Sequence, residues 1–177
     1  TTLRLLLGLG ACALLAYGEI PLIHWGAGLF ALSNFADHMD GELARLSGKT
    51  SRFGHYYDLF SDVVVHILLF FSIGIGLMDS WLGEVAWVMG LISGMSVSGL
   101  FALFQYLETR IGKKQAGLPS FVGFETEDVM YLIGPAIWVG GLIPILIAAT
   151  IGAPLFGLWA LVRYRHEIFS SDKQETK

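Results

Sequence analysis

The amino-acid sequence predicts an all-α integral membrane protein with six transmembrane helices. Its 177 residues are 54% hydrophobic, and its mean hydropathy is +0.63, values above those of ordinary water-soluble domains. Long apolar runs recur along the chain, and most of them approach the ~20 residues that a helix needs to cross the hydrocarbon core of a bilayer. The basic residues are confined to alternate gaps between these runs, which indicates an even number of crossings.

The spans are placed near residues 2–17, 20–44, 55–79, 83–109, 125–141 and 144–166. The first is short for a complete crossing, so we expect that residues upstream of Thr1 are missing from this sequence. A secretory signal is the alternative, with Leu9-Gly10-Ala11-Cys12 as a lipoprotein-type cleavage site. The basic segment before it is thin and several spans follow, so a transmembrane helix is favoured.

Glycine and proline set the boundary between the last two spans. No charged residue occurs between Val129 and Val162, a run too long for one helix. We place the turn at Gly140-Gly141-Leu142-Ile143-Pro144 rather than at Gly152-Ala153-Pro154, because proline suits the first turn of a helix. Pro154 is then expected to kink the last helix.

The basic residues also predict the orientation of the protein. All eleven fall on one side of the six-span map: Arg4, Arg45, Lys49, Arg52, Arg110, Lys113, Lys114, Arg163, Arg165, Lys173 and Lys177. The positive-inside rule therefore places both termini and the aspartates between spans two and three on the cytoplasmic side. We expect the membrane to be a bacterial or archaeal inner membrane.

The chain is predicted to form one domain, residues 1–169, followed by a disordered polar tail, residues 170–177. The 22 glycines suit close packing between helices in lipid, in particular Gly90, Gly94 and Gly99 of the fourth span. Cys12 is the only cysteine, which excludes an intramolecular disulfide and a zinc–thiolate centre. No nucleic-acid partner is expected.

Four aspartates at the cytoplasmic ends of the second and third spans are the strongest functional signal. Asp37 and Asp40 share a helical face with Ala44, and Asp58 and Asp62 share another. Placing a charged carboxylate near the bilayer core costs free energy, so such acids indicate a functional site. The alternatives are a structural ion-pair network and a helix end that is exposed to solvent. Two helix ends, each carrying two acids, can direct four carboxylates to one point.

This cluster has the chemistry of a site for hard cations. Converging carboxylates repel one another, and divalent cations relieve that repulsion. Ligands that are all oxygen favour Mg²⁺ or Mn²⁺, and a pair of such ions clamps a phosphoryl group. The small residues Gly41, Ala44 and Gly54 leave space for a phosphate-containing ligand, and Arg45 suits a pyrophosphate oxygen.

The motif Asp37-His38-Met39-Asp40-Gly41-Glu42-Leu43-Ala44-Arg45, then Thr50-Ser51-Arg52-Phe53-Gly54, then Asp58 and Asp62, resembles the signature of the CDP-alcohol phosphotransferase family. The resemblance implies a six-span homodimer that transfers a substituted phosphate from a CDP-linked donor to an alcohol and releases CMP. It implies that Asp37, Asp40 and Asp58 hold one divalent cation and that Asp37, Asp58 and Asp62 hold the second. Asp62 would also be the general base that takes the proton from the acceptor hydroxyl.

The resemblance assigns the remaining motif residues to the nucleotide. Gly41, Arg45 and Ser51 would contact the CDP moiety, and Ala44 and Gly54 would line its pocket. The favoured donor is CDP-diacylglycerol, with an acceptor related to inositol or glycerol phosphates. The reverse arrangement, a CDP-linked small headgroup passed to diacylglycerol, stays open.

Two other functions stay open as well. Acids within a membrane also build ion and proton pathways in transporters, but such a pathway needs polar residues at mid-depth, where the later spans have few. A catalytically inactive family member would not need all four acids. His66, one turn beyond Asp62, is interpreted as a hydrogen-bonded polar group in a helix interface rather than as a support for the site.

Overall fold

The computed structural model describes residues 1–47, 52–112 and 128–169, and the elements within these ranges are all helices. In chain order they are α1 (Thr2–Ala16), α2 (Ile20–Ser47), α3 (Arg52–Gly76), α4 (Val85–Ile111), α5 (Asp128–Trp138), α6 (Leu142–Arg163) and the short α7 (Arg165–Phe169). Each predicted span coincides with one helix from α1 to α6. The predicted tail, 170–177, lies outside the described residues.

Three stretches in the described ranges are long and apolar enough to cross a membrane unaided: Tyr56–Gly76, Val85–Ile111 and Leu142–Arg163. Helix α1 is apolar but shorter. In the described ranges the protein is therefore all-helical, with segments suited to span a membrane, while the six-span arrangement stays a prediction.

The turn between α5 and α6 lies at the glycine pair, as predicted. Helix α5 ends at Trp138 and α6 begins at Leu142. Gly140 has a φ of 83°, a left-handed conformation that suits glycine at the end of a helix. The Gly141 amide donates to the Ala136 carbonyl at 2.8 Å and closes the turn. Pro144 lies in the first turn of α6, where its missing amide hydrogen costs nothing.

Helices α3 and α4 pack closely through two glycines of α4. Gly90 lies against the Phe70 carbonyl and Gly94 against the Ile67 carbonyl, both on α3. The prediction of close contact is confirmed for these two positions, while at Gly99 no described residue makes such a contact. Within the described part of the chain, no atom lies within 4 Å of where a Cβ at Gly99 would be.

The main core lies where α1, α2 and α3 meet, and α5 and α6 extend it. Its largest fully buried side chains include Leu15, Phe30, Leu69, Ile73 and Leu146. This packing fixes the relative positions of α1, α2 and α3, the three helices that carry Arg4, Asp37, Asp58 and Asp62.

Hydrogen bonds fasten α5 along α2. The Asn34 side chain donates to the Met130 carbonyl at 3.2 Å, and the Tyr131 hydroxyl donates to the Asn34 carbonyl at 3.2 Å. Nearer the other end of α2, the Trp138 indole donates to the His24 carbonyl at 3.0 Å. Polar groups within an apolar bundle are satisfied across helices in this way.

Candidate functional site

Three of the four predicted aspartates converge on a single guanidinium. Asp37 is on α2, Asp58 and Asp62 are on α3, and Arg4 reaches them from the first turn of α1. Arg4 Nη1 lies 2.7 Å from Asp37 Oδ1 and 3.7 Å from Asp58 Oδ1. Arg4 Nη2 pairs with Asp62 Oδ1. The C-terminal part of α2 and the N-terminal part of α3 thus bring three of the four acids to one place, and the side chain of the fourth, Asp40, is not described.

The cluster is buried on one side and open on the other. The side chains of Arg4 and Asp62 are 5% and 9% exposed, whereas those of Asp37 and Asp58 are 35% and 43% exposed. Asp37 and Asp58 therefore lie at the open side of the cluster, and Asp62 lies at its inner end.

The backbone of α1 is held in place beside the cluster. The Ser33 hydroxyl of α2 donates to the Arg4 carbonyl at 2.9 Å. One turn further along, Gly8 packs against the side chain of Val65 on α3, and a Cβ at Gly8 would lie 2.9 Å from Val65 Cγ2. Helix α1 therefore lies close against both acid-bearing helices, and the Arg4 side chain extends between them.

Two threonines at the start of α1 border the same site. The Thr1 hydroxyl donates to Asp58 Oδ1 at 3.1 Å, and the Thr2 hydroxyl lies 3.3 Å from the Tyr57 hydroxyl. The beginning of α1 thus forms one edge of the acidic cluster.

The chemistry of the cluster fits a hard divalent cation. Its donors are carboxylate oxygens, the ligands that Mg²⁺ and Mn²⁺ prefer. Among the residues that the structure describes, one guanidinium faces three carboxylates, so their formal charges do not cancel. In the ranges that the structure describes, no three acidic, histidine or cysteine side chains are already arranged as ligands around one point. Arg4 lies among the three carboxylates that would supply such ligands.

The other predicted site residues are placed in part. Four motif residues lie in the last turns of α2, but the structure does not describe their side chains: Asp40, Gly41, Ala44 and Arg45. Ser51 lies outside the described residues. Gly54 is in the first turn of α3, one turn before Asp58. The assigned roles of these residues stay predictions.

Arg4 is a member of the cluster that the sequence did not predict. It was expected to precede the first span, but the residue belongs to α1 and is buried against the acids. The signal was present, because a lone charge in an otherwise apolar stretch calls for a named partner.

His66 lies in a helix interface, as expected, but its hydrogen bonding is incomplete. The residue is 3% exposed, and its ring meets Phe101 of α4 edge to face with centroids 5.2 Å apart. Its Nδ1 atom has no hydrogen-bond partner among the described residues. The interpretation of His66 as a fully hydrogen-bonded group is therefore wrong for this atom.

The fold and the site together define a class: an all-helical membrane protein with a half-open acidic cluster between the ends of two helices. The comparison with family models names that class. The model of the CDP-alcohol phosphatidyltransferases matches residues 1–162, and the chain belongs to this family. Membership makes it a transferase of phospholipid synthesis that acts on a CDP-linked donor and an alcohol acceptor. No curated protein and no solved structure matches the chain.

Proposed function

We propose that this protein transfers a phosphatidyl group from CDP-diacylglycerol to a small alcohol, releases CMP, and requires two Mg²⁺ or Mn²⁺ ions. The observation that carries the proposal is the convergence of Asp37, Asp58 and Asp62 from two helices onto one positively charged centre. Family membership supplies the reaction class, and the acidic cluster supplies a place for it.

The proposed cation ligands are Asp37, Asp40, Asp58 and Asp62. Bound divalent ions would neutralise the negative charge of a pyrophosphate and fix its orientation. Asp37 and Asp58 are the more exposed of the described acids, which suits ligands that also face a substrate. A donor set made only of oxygen favours Mg²⁺ or Mn²⁺ over zinc.

In the proposed reaction Asp62 is the general base. It removes the proton from the acceptor hydroxyl, and that oxygen forms a bond to the phosphorus remote from cytidine. The bond from this phosphorus to the bridging oxygen breaks, and the bridging oxygen leaves with CMP. A positioned base of this kind contributes roughly 10²- to 10⁴-fold to the rate.

Five small or polar residues are proposed to hold the CDP moiety. Gly41, Arg45 and Ser51 would contact the nucleotide, and Ala44 and Gly54 would line its pocket. The described part of this set supports the proposal in one respect. Gly54 lies one helical turn before Asp58, so it leaves the α3 face beside the acids without a bulky side chain.

We also propose six spans, cytoplasmic termini, a cytoplasmic site and a homodimer. The acids lie at the C-terminal end of α2 and in the first turns of α3, while Arg110 and Arg163 lie in the last turns of α4 and α6. Arg110 donates to the Ile168 carbonyl at 3.3 Å, which joins the end of α4 to α7. Basic residues on the side that carries the acids support a cytoplasmic orientation.

The test is CMP release by purified protein in lipid nanodiscs. CDP-diacylglycerol and Mg²⁺ are supplied with a panel of alcohols: glycerol 3-phosphate, inositol phosphate, inositol and serine. A parallel reaction supplies CDP-choline or CDP-ethanolamine with diacylglycerol, which reports the reverse arrangement. We expect release with CDP-diacylglycerol and one alcohol of the panel.

Asp62→Asn is expected to reduce CMP release by about 10² or more. The matched control is Asp79→Asn, the same change at an exposed residue just beyond the other end of α3, which should leave the rate unchanged. Equal rates in Asp62→Asn and wild type, or full activity in chelator, would overturn the proposal. Ion flux without CMP release would favour a transporter.

A further inference from the structure

We propose that Arg4 is a positioning residue that competes with the divalent cations for the aspartates of the site. It orients Asp37, Asp58 and Asp62 as an internal counter-ion, and the cations must displace its charge from the same oxygens. This inference rests on the proposed cation-dependent function, which it deepens by adding a residue from α1.

The contacts show that Arg4 is built into the cluster. The Arg4 guanidinium forms an ion pair with one oxygen of each of the three carboxylates. Its Nη1 atom pairs with Asp37 and Asp58, and its Nη2 atom pairs with Asp62. Two of these acids are on α3 and one is on α2. The Arg4 side chain therefore links α1 to both acid-bearing helices at once.

The burial of Arg4 excludes a role as a simple anchor at the membrane surface. An arginine that serves as an anchor extends its charged group into the headgroup region. The Arg4 side chain is only 5% exposed and is directed at the acids. The Ser33 hydrogen bond to the Arg4 carbonyl also fixes the backbone from which the side chain extends. A buried charge of this kind is costly unless it is paired, and here each pairing is with a proposed cation ligand.

Competition follows from the shared oxygens. A Mg²⁺ or Mn²⁺ ion bound to them at about 2.0–2.2 Å would lie within a few ångströms of the guanidinium, and the two positive charges would repel each other. Arg4 therefore weakens cation binding while it relieves repulsion among the carboxylates. Loss of its charge has two opposite consequences: the fold becomes less stable in chelator, and the cations bind more tightly.

The experiment compares wild type with Arg4→Gln and Arg4→Lys. Thermal unfolding is measured in EDTA and in saturating Mn²⁺, and Mn²⁺ affinity is measured by electron paramagnetic resonance of the free ion, without any assay of turnover. The control is Arg163→Gln, which removes an exposed positive charge from the last turn of α6.

For Arg4→Gln we expect a lower melting temperature in EDTA, a larger rise on adding Mn²⁺ than wild type shows, and Mn²⁺ binding tighter by about tenfold. Lysine keeps the charge but not the planar fork that reaches three acids, so Arg4→Lys should bind Mn²⁺ with intermediate affinity. If Arg4→Gln does not fold in EDTA, the affinity of Arg4→Lys relative to wild type still tests the proposal. Arg163→Gln should match wild type in both measurements.

Arg4→Gln could lower the melting temperature by the same amount in EDTA and in Mn²⁺, relative to wild type. That result would show that Arg4 has only a structural role, and it would overturn the proposal. Unchanged or weaker Mn²⁺ binding in the variant, with normal binding by wild type, would also overturn it and leave the proposed function standing. Failure of wild type itself to bind Mn²⁺ would overturn the proposed function together with the role of Arg4.

Discussion

Replacement of Gly94 by alanine tests whether the site depends on the close contact between α3 and α4. A Cβ at Gly94 would lie 2.7 Å from the Ile67 carbonyl oxygen and 2.9 Å from the Ile67 Cα. Both atoms belong to the backbone of α3 and cannot rotate away. Ordinary van der Waals contact begins at 3.4 Å, so the two helices must separate by about 0.7 Å.

Overpacking of this kind costs about 1–3 kcal/mol, which corresponds to a fall in melting temperature of roughly 2–12 °C for a chain of this size. The displacement also lengthens the bond from the Ser98 hydroxyl to the Val63 carbonyl, now 3.3 Å, directly after Asp62 in the chain. We therefore expect Gly94→Ala to lower CMP release as well as stability.

The assay is thermal unfolding in nanodiscs, followed by circular dichroism and by fluorescence-detected size exclusion. Gly99→Ala is the matched control on the same helix, because a Cβ there meets no described atom within 4 Å. Alanine is also the better helix former, so Gly99→Ala should be neutral or slightly stabilising. A melting temperature of Gly94→Ala equal to that of Gly99→Ala would refute the packing argument.

Three further outcomes are expected. Treatment with EDTA should abolish CMP release, and Mg²⁺ or Mn²⁺ should restore it; full activity in EDTA would contradict the cation site. Ser33→Ala removes the 2.9 Å bond to the Arg4 carbonyl and should cost about 0.6 kcal/mol, at most about 1.7, measured by thermal unfolding against wild type. An unchanged melting temperature of Ser33→Ala together with unchanged Mn²⁺ affinity would show that this bond does not hold α1. Leu69→Ala leaves a cavity at a fully buried position and should lower the free energy of unfolding by about 2–5 kcal/mol. A decrease below about 1 kcal/mol would contradict the described core.

Much of the fold could be predicted from apolar run length and from glycine and proline positions. The ends of α2, α4 and α6 lie within about three residues of the predicted spans, and the turn at Gly140 was identified because proline tolerates only some helix positions. Run length sets where a helix can exist, and it carries no information about which neighbour the helix meets.

The glycines of α4 illustrate that limit. Gly90 and Gly94 are four residues apart and share a face, so both meet α3. Gly99 is five residues beyond Gly94, a rotation of about 140° at ~100° per residue, and faces away from α3. The position of each glycine around the helix axis, and not the number of glycines, therefore distinguishes Gly90 and Gly94 from Gly99.

The convergence of Asp37, Asp58 and Asp62 could be predicted because Asp37 and Asp40 share one helical face, and Asp58 and Asp62 share another. Arg4 could not be assigned in the same way. It is far from the motif in the chain, and only the packing of α1 against α2 and α3 brings it there. A buried charge in an apolar helix predicts a partner, but tertiary structure selects which one.

We propose that α2 and α3 jointly hold a pair of hard cations. The most direct measurement is anomalous X-ray scattering at the manganese edge from crystals of the protein grown with Mn²⁺. We predict two peaks about 3.5–4 Å apart, within bonding distance of Asp37, Asp40, Asp58 and Asp62. A protein that releases CMP but shows no manganese peak among these carboxylates would contradict the account.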